Sequence, residues 1–299
     1  MTQGAEGGPR VVAVGGGHGL AASLRAVRRY AGRVTGVVSV ADDGGSSGRL
    51  RRDLGIVPPG DLRKCLVAMS DDASVPAQLL AAAFEHRFDS DELAGHALGN
   101  LLIAALAATT GSLQEALDQA GRLLGCAGRV VPASTEAIQL KAEADSGEVG
   151  GQTAVMHTSG IHRVWAVPAD ARAAPQAIAA IDDAEQIVIG PGSLYTSVLA
   201  ALAVPEITRA VSKSSARRVY VANLRPQRAE TSGYDVAAHI EALIGHGVTM
   251  DVVLADTSAM ALGDVGSLGV EVVEAKLAKT NGLAHDPGRL SDALAGLVA

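Results

Sequence analysis

The sequence predicts a layered α/β fold, with a mostly parallel sheet covered by helices on both faces and a small antiparallel insert. Two observations carry this. Valine-rich runs that are apolar on both faces alternate with helix-like segments, as in a buried parallel sheet with right-handed crossovers. Between 125 and 168 the pattern changes to short strand-like pieces, punctuated by Gly147, Gly150, Gly151 and Gly160, which reads as an antiparallel subregion.

In chain order, strands are expected at 11–14, 34–40, 187–189, 218–222, 252–255 and 270–273. The first helix, 20–30, places Leu20, Leu24 and Val27 on one face and Arg25, Arg28 and Arg29 mostly opposite. Further helices are expected at 62–69, 93–109, 113–124, 174–182, 194–202, 234–244 and 289–298. Short strands of the insert are expected at 129–133, 138–142, 153–156 and 161–167. Residues 1–10 are polar and glycine-rich and read as a disordered tail. The span 11–299 then reads as a single α/β domain with 125–168 as its β-rich insert.

Composition narrows the function classes. The chain has 299 residues, 48% of them hydrophobic and only 2% aromatic, with a net charge of -7. An acidic chain of this kind does not offer the broad basic surface that nucleic acid requires. Two cysteines, Cys65 and Cys126, make neither a disulfide framework nor a zinc site. The longest apolar run, 98–108, falls short of the ~20 residues that cross a bilayer, and the start of the chain lacks a signal-peptide pattern. The expectation is a cytoplasmic protein with no membrane span.

Three glycine turns follow expected strands, where open α/β sheets bind ligands. The first is Gly15-Gly16-Gly17-His18-Gly19. Three glycines in a row plus Gly19 exceed what a tight turn needs, so they point to phosphate or ribose contact at a helix start. His18 either donates to that phosphate or caps the helix. The dinucleotide pattern G-x-G-x-x-G fails because Leu20 stands at its last glycine, and no G-x-x-x-x-G-K-[ST] loop is present.

The second turn runs Asp42-Asp43-Gly44-Gly45-Ser46-Ser47-Gly48-Arg49. Its acids suit ribose hydroxyls or a divalent cation. Its small residues supply N–H and O–H donors, and Arg49 suits phosphate. Ordinary turn chemistry explains the composition less well. After Pro58-Pro59-Gly60, Asp61 suits a helix N-cap, whereas Arg63 and Lys64 oppose the helix dipole unless an anion is bound. His96 and Asn100 lie four apart on one expected apolar helix, either as a buried satisfied pair or as ligand contacts.

The third turn is Gly190-Pro191-Gly192-Ser193, followed by Tyr195 and Thr196. Helix capping would account for Ser193 alone. Asn223, ending the strand 218–222, is a candidate wall of the same crevice. No hydrolase elbow, H-E-x-x-H or CxxC is present, and no catalytic nucleophile is assigned.

The blocks GGGHGL, VSVADDGGSSGRLRRDLGIVPPGDLRKCLVA, GHALGNLL and IVIGPGSLYTSVL stand in the order found in the bacterial gluconeogenesis factor family. The chain resembles these YvcK-like proteins of the CofD-like superfamily over 11–243. The resemblance implies a Rossmann-like three-layer α/β/α fold and a cytoplasmic role in carbon metabolism and cell shape on gluconeogenic carbon. It also implies binding of a UDP-N-acetylglucosamine-like nucleotide sugar by a non-catalytic regulator, partner enzymes of cell-wall or carbon metabolism, and a homodimer. The enzyme relatives in the superfamily, 2-phospho-L-lactate transferases, imply the alternative: an Mg²⁺-dependent phosphotransferase in which Asp42 and Asp43 hold the metal. His18 departs from the family pattern, which often has Thr there, and Leu224-Arg225-Pro226-Gln227-Arg228-Ala229-Glu230-Thr231 keeps only the last part of the usual Met-Thr-Gln-Pro-Gly-Glu-Thr.

Overall fold

The computed structural model describes residues 7–298. The chain begins with β1 (Arg10–Gly15), α1 (Gly17–Val27), β2 (Arg33–Val38), α2 (Gly45–Leu54), α3 (Gly60–Met69), α4 (Val75–Glu85), α5 (Leu98–Thr110), α6 (Leu113–Leu123) and β3 (Arg129–Pro132). Next come β4 (Gln139–Ala144), β5 (Gly147–Gly150), α7 (Gln152–Met156), β6 (Ile161–Val167), α8 (Pro175–Asp182) and β7 (Gln186–Ile189). It ends with a π-helical turn (Leu194–Val198) running into α9 (Leu199–Leu202), then α10 (Pro205–Lys213), β8 (Arg217–Val221), α11 (Val236–Gly245), β9 (Val252–Ala255), β10 (Glu271–Glu274) and α12 (Pro287–Ala295).

Seven strands form one parallel sheet in the order β10-β9-β8-β7-β1-β2-β3. From β1 the chain steps outward through β2 to β3. It then returns to β7 on the other side of β1 and steps outward the opposite way. Right-handed crossovers in opposite directions put helices on opposite faces. Accordingly α1 packs with α3 and α12, while α8 packs with α10 and α9 reaches β1. The strands carry the core: Val11, Val12, Ala13 and Val14 are all buried, as are Ile187, Val188 and Ile189. Each fully buried valine or isoleucine contributes about 1.5–3 kcal/mol relative to exposure.

A second, three-stranded antiparallel sheet, β5-β4-β6, lies beside the main one. It is smaller than the expected insert. The run 129–133 is a strand, but it pairs in parallel with β2 as the edge of the main sheet. Residues 153–156 are helical, within α7, because Gly151 turns the chain and Thr153 is caught by a carboxylate.

Other expectations shift at element ends. The helix expected from 93 begins at Leu98. His86 and His96 carbonyls tie 86–98 into a hairpin-like loop first, accepting from Leu98 and Phe88 N–H. Helices α2, α4 and α10 were not expected. Of the tail expected over 1–10, residues 1–6 lie outside the described residues. Pro9 and Arg10 are ordered against the sheet, since the Pro9 carbonyl accepts from Gly32 N–H at 3.0 Å.

Candidate ligand crevice at the switch point

The strand order reverses between β1 and β7, and their carboxyl ends carry the first and third glycine turns. In open α/β sheets this is the ligand crevice. The two turns interlock. A Cβ on Gly19 would lie 2.2 Å from the Pro191 carbonyl oxygen and 2.6 Å from Gly192 Cα. Ser23, buried on α1, donates to the Gly190 carbonyl at 2.5 Å. Gly19 is thus glycine because another backbone passes against it, which lets the first and third turns close on each other.

Gly16 is buried and Gly17 half-buried, and both lie against the Asp61 carboxylate and Ser197. A Cβ on Gly16 would meet Asp61 Oδ2 at 2.9 Å and the Cβ atoms of Ser39 and Ser197 at 3.5 Å. Helix α1 opens here with Gly16 as an extended N-cap, no side-chain cap and no acid in its first turn. Its first N–H groups are therefore free for an anion. His18 is exposed at the rim, with Lys64 and Asp61 the nearest strong charges, and makes no hydrogen bond among the described residues.

The second turn divides its residues between two jobs. Asp42 Oδ1 accepts from Gly44 N–H at 3.0 Å. Burial, then the neighbouring Asp61 carboxylate, pushes the Asp42 carboxyl above its usual range. A Cβ on Gly60 would meet Ser47 Oγ at 2.2 Å and Asp42 Oδ2 at 2.7 Å, so Ser47 and Asp42 converge beside Asp61. Asp61 lies inside the first turn of α3, with Pro59 as N-cap, and pairs with Lys64 at 3.0 Å. It is therefore not the cap expected from its position after the prolines. Gly44 and Gly45 open α2 without a side-chain cap.

Several other expected ligand contacts point away. Asp43 Oδ1 accepts from Thr153 N–H at 2.9 Å and from Thr153 Oγ at 2.6 Å, which ties the second turn to α7. Arg49 donates to the Ala94 carbonyl. Ser46 Oγ lies 3.0 Å from His96 Nδ1 and accepts from Asn100 Nδ2 at 3.0 Å. Asn100 Oδ1 in turn accepts from Arg63, whose other nitrogen reaches Glu85 at 3.2 Å. Arg63 is 1% exposed. This buried chain locks α2, α3 and α5 together, so Ser46, Arg63 and Asn100 hold the crevice wall and have no free surface toward a ligand. His96 and Asn100 meet through Ser46 rather than along one helix.

The third turn differs most from expectation. Asn223 grips Gly192 at both ends: its Oδ1 accepts from Gly192 N–H at 3.0 Å and its Nδ2 donates to Gly192 O at 2.8 Å. Gln227 donates to Ser193 Oγ at 2.8 Å. The N–H groups of Tyr195 and Thr196 donate to Glu230 Oε2 at 3.1 and 3.3 Å, and the Thr196 hydroxyl donates to Glu230 Oε1. A protein carboxylate therefore occupies the helix start expected to cradle phosphate. Tyr195 and Thr196 are buried and unavailable, and burial raises the Glu230 carboxyl. Glu230 and Ser197 gave little sequence signal: one sits in a polar loop, and the other closes a hydroxyl-rich run.

Asp43 holds Thr153 through Oδ1, as Asp61 pairs with Lys64 through its Oδ1, and the Asp42 carboxyl lies beside that of Asp61. Asp42 and Asp61 do face the crevice together, and Mg²⁺ is commonly held by one or two carboxylates plus substrate phosphates. Those two residues fit the metal implied by the phosphotransferase alternative. No cluster of three metal-ligating side chains occurs among the described residues. A cleft of about 690 Å³ adjoins the second turn, lined by Gly44, Gly45, Arg51, Arg52, Thr153 and His157. A comparable cavity of about 570 Å³, lined by Arg10, Val12, Arg33 and Arg129, lies at the amino ends of the strands, away from the switch point.

The family model for the 2-phospho-L-lactate transferase CofD matches residues 11–277. The chain belongs to the CofD family. A Bacillus subtilis member described as "Gluconeogenesis factor" is 42% identical over 241 residues, which cover 80% of this chain and 75% of that one. A Nostoc relative is 44% identical over 239 residues, 79% of this chain but 52% of its own length. A Bacillus halodurans crystal structure superposes with a TM-score of 0.89 at 36% identity, covering 98% of this chain and 99% of that chain. The CofD-family architecture, a parallel sheet with a small antiparallel companion, is thus shared. Among the described residues no single helix is long and apolar enough to cross a membrane.

Proposed function

We propose that this CofD-family chain binds a nucleotide sugar resembling UDP-N-acetylglucosamine and acts as a regulator of carbon metabolism and cell-wall precursor supply. The observation that carries it is the uncapped start of α1 at the strand-order reversal, where Gly16 and Gly17 lie beside Asp61 and Ser197. Its free N–H groups suit a diphosphate. Asp42 and Asp61 suit ribose hydroxyls, and the adjoining cleft of about 690 Å³ has room for a sugar. Regulation of partner enzymes, cell shape on gluconeogenic carbon and a homodimer belong to the same proposal, through likeness to the gluconeogenesis factors.

Isothermal titration with UDP-N-acetylglucosamine tests this. Saturable binding is expected, and Asp42→Asn should weaken it by about tenfold, or about 1.4 kcal/mol. Absence of heat at millimolar ligand in a folded sample rejects the proposal.

The convergence of Asp42 and Asp61 favours a second reading, metal-assisted phosphoryl-group transfer. Mg²⁺ would offset the charge of the bound phosphates, and Asp42 and Asp61 would orient it. Incubation with a deazaflavin acceptor, Mg²⁺ and guanylated lactate decides: product formation supports transfer, and silence in a folded sample that binds nucleotide sugar rejects it.

A further inference from the structure

A second recess lies away from the crevice, where β6, α9, α10 and the end of α11 meet. Its cavity is about 380 Å³ and its floor is apolar, built from Leu199, Leu202, Ala203 and the indole of Trp165. The polar groups beneath are satisfied internally. His246 Nε2 accepts from Val164 N–H at 3.0 Å and its Nδ1 pairs with the Ala242 carbonyl, so Nδ1 carries the proton and the ring is neutral. Thr208 donates to the Leu202 carbonyl, and Ser212 donates to Gly247. The rim is different. Arg209 lines it, and the Arg163 guanidinium sits 5.4 Å from the Trp165 ring centroid. Both arginines are exposed, and neither guanidinium makes a hydrogen bond or an ion pair within 4 Å among the described residues, with Glu143 the cross-strand neighbour of Arg163. Two unpaired cations beside an apolar socket stand out on a chain of net charge -7.

We propose that this recess docks a segment of a partner protein that inserts one apolar side chain and flanks it with carboxylates. The socket suits a single anchoring side chain, the kind that dominates interface energy. The stacked and rim arginines suit bidentate carboxylates and set their sign. The recess also shares its packing with the crevice. Leu199 and Leu202 lie on α9, which continues the third-turn helix, and Tyr195 packs edge-on against His246 with centroids 6.1 Å apart. A partner seated here touches the block that carries the third turn.

Trp165 is the only tryptophan of the chain, so its fluorescence reads the recess directly. The full chain is titrated with the blocked peptide Asp-Asp-Leu-Phe-Asp, with its charge-reversed form Lys-Lys-Leu-Phe-Lys, and with octanoate. The expected result is a saturable change with the acidic peptide only. The double variant Arg163→Glu and Arg209→Glu should weaken that binding at least tenfold and transfer the response to the basic peptide. No saturation by the acidic peptide up to millimolar, or equal responses to both peptides, overturns the proposal. Saturation by octanoate without the peptide assigns the recess to a small acid and overturns it too. Titration with UDP-N-acetylglucosamine in the same samples keeps the two sites separate, since neither outcome at the recess bears on binding at the crevice.

Discussion

Glu230 shows how one side chain can reverse the reading of a whole motif. It is 2% exposed and accepts from two backbone N–H groups and one hydroxyl of the third turn. No cation pairs with it among the described residues. Burial therefore dominates over these bonds and raises its carboxyl above 4.5. A raised folded-state value means that the native state holds the proton more tightly than the unfolded chain. The stabilisation is present in full below about pH 4.5 and is lost as pH rises through the folded value. Glu230→Gln should flatten that part of the stability profile. Glu230→Ala should cost about 1–3 kcal/mol, because it orphans the Tyr195 and Thr196 donors. Chemical denaturation across pH 4 to 8 measures both. An unchanged slope in Glu230→Gln would show that the carboxylate is not desolvated. At the same scale, Gly19 was legible as a special position but not as to why. Its neighbour, Pro191, is 172 residues away in sequence and was invisible there.

Elements were legible where burial enforces period. All six expected strands of the main sheet are present: the inner ones are apolar on both faces, and the half-exposed edge strand β10 keeps its central Val272 and Val273. β3 was expected too, but in the insert: its short valine run looks like any isolated strand until β2 lies beside it. Helix α2 went unrecognised because it opens on two glycines and two serines, which read as turn chemistry. Its stability comes from packing and from the Ser46–Asn100–Arg63 chain rather than from propensity. Asp43 ties α7 to the second turn, whereas β6 is held independently by Tyr195 and His246. Asp43→Ala should therefore loosen the start of α7 while sparing β6 and the main sheet. Hydrogen exchange should show faster amides over 152–157, with amides of 161–167, 11–14 and 187–189 unchanged. Equal acceleration in both sets would reject this local role.

At the scale of the whole molecule, the C-terminal segment closes the sheet. His285 is buried and donates from Nε2 to the Ala222 carbonyl at 3.2 Å, just past β8. Asp256 accepts from the Leu277 and Ala278 N–H groups at 2.7 and 3.0 Å. Burial pulls the His285 imidazole down from 6.5 to about 4. A lowered folded-state value means that the unfolded chain takes up the proton first. The stabilisation is complete above about pH 6.5 and falls away as pH drops to about 4, amounting to about 3 kcal/mol. His285→Gln should remove that dependence in urea unfolding followed between pH 4 and 7. Retention of the full slope would place it elsewhere.

By itself the sequence determined the fold class, the family and the three places where the chain turns at a strand's carboxyl end. The fold class and the turns follow from local period and from residue types that act where they stand, and the family from the likeness of whole motif blocks. Only the tertiary structure decided which turn residues face the crevice. Gly16, Gly17, Asp42, Asp61 and Ser197 converge there. Asp43, Ser46, Arg49, Arg63, Asn100, Tyr195, Thr196 and Asn223 are bound to other parts of the chain. The physical reason is that a donor or carboxylate serves whichever partner reaches it. At the switch point those partners come from strands far apart in sequence, brought together by the reversal of strand order between β1 and β7.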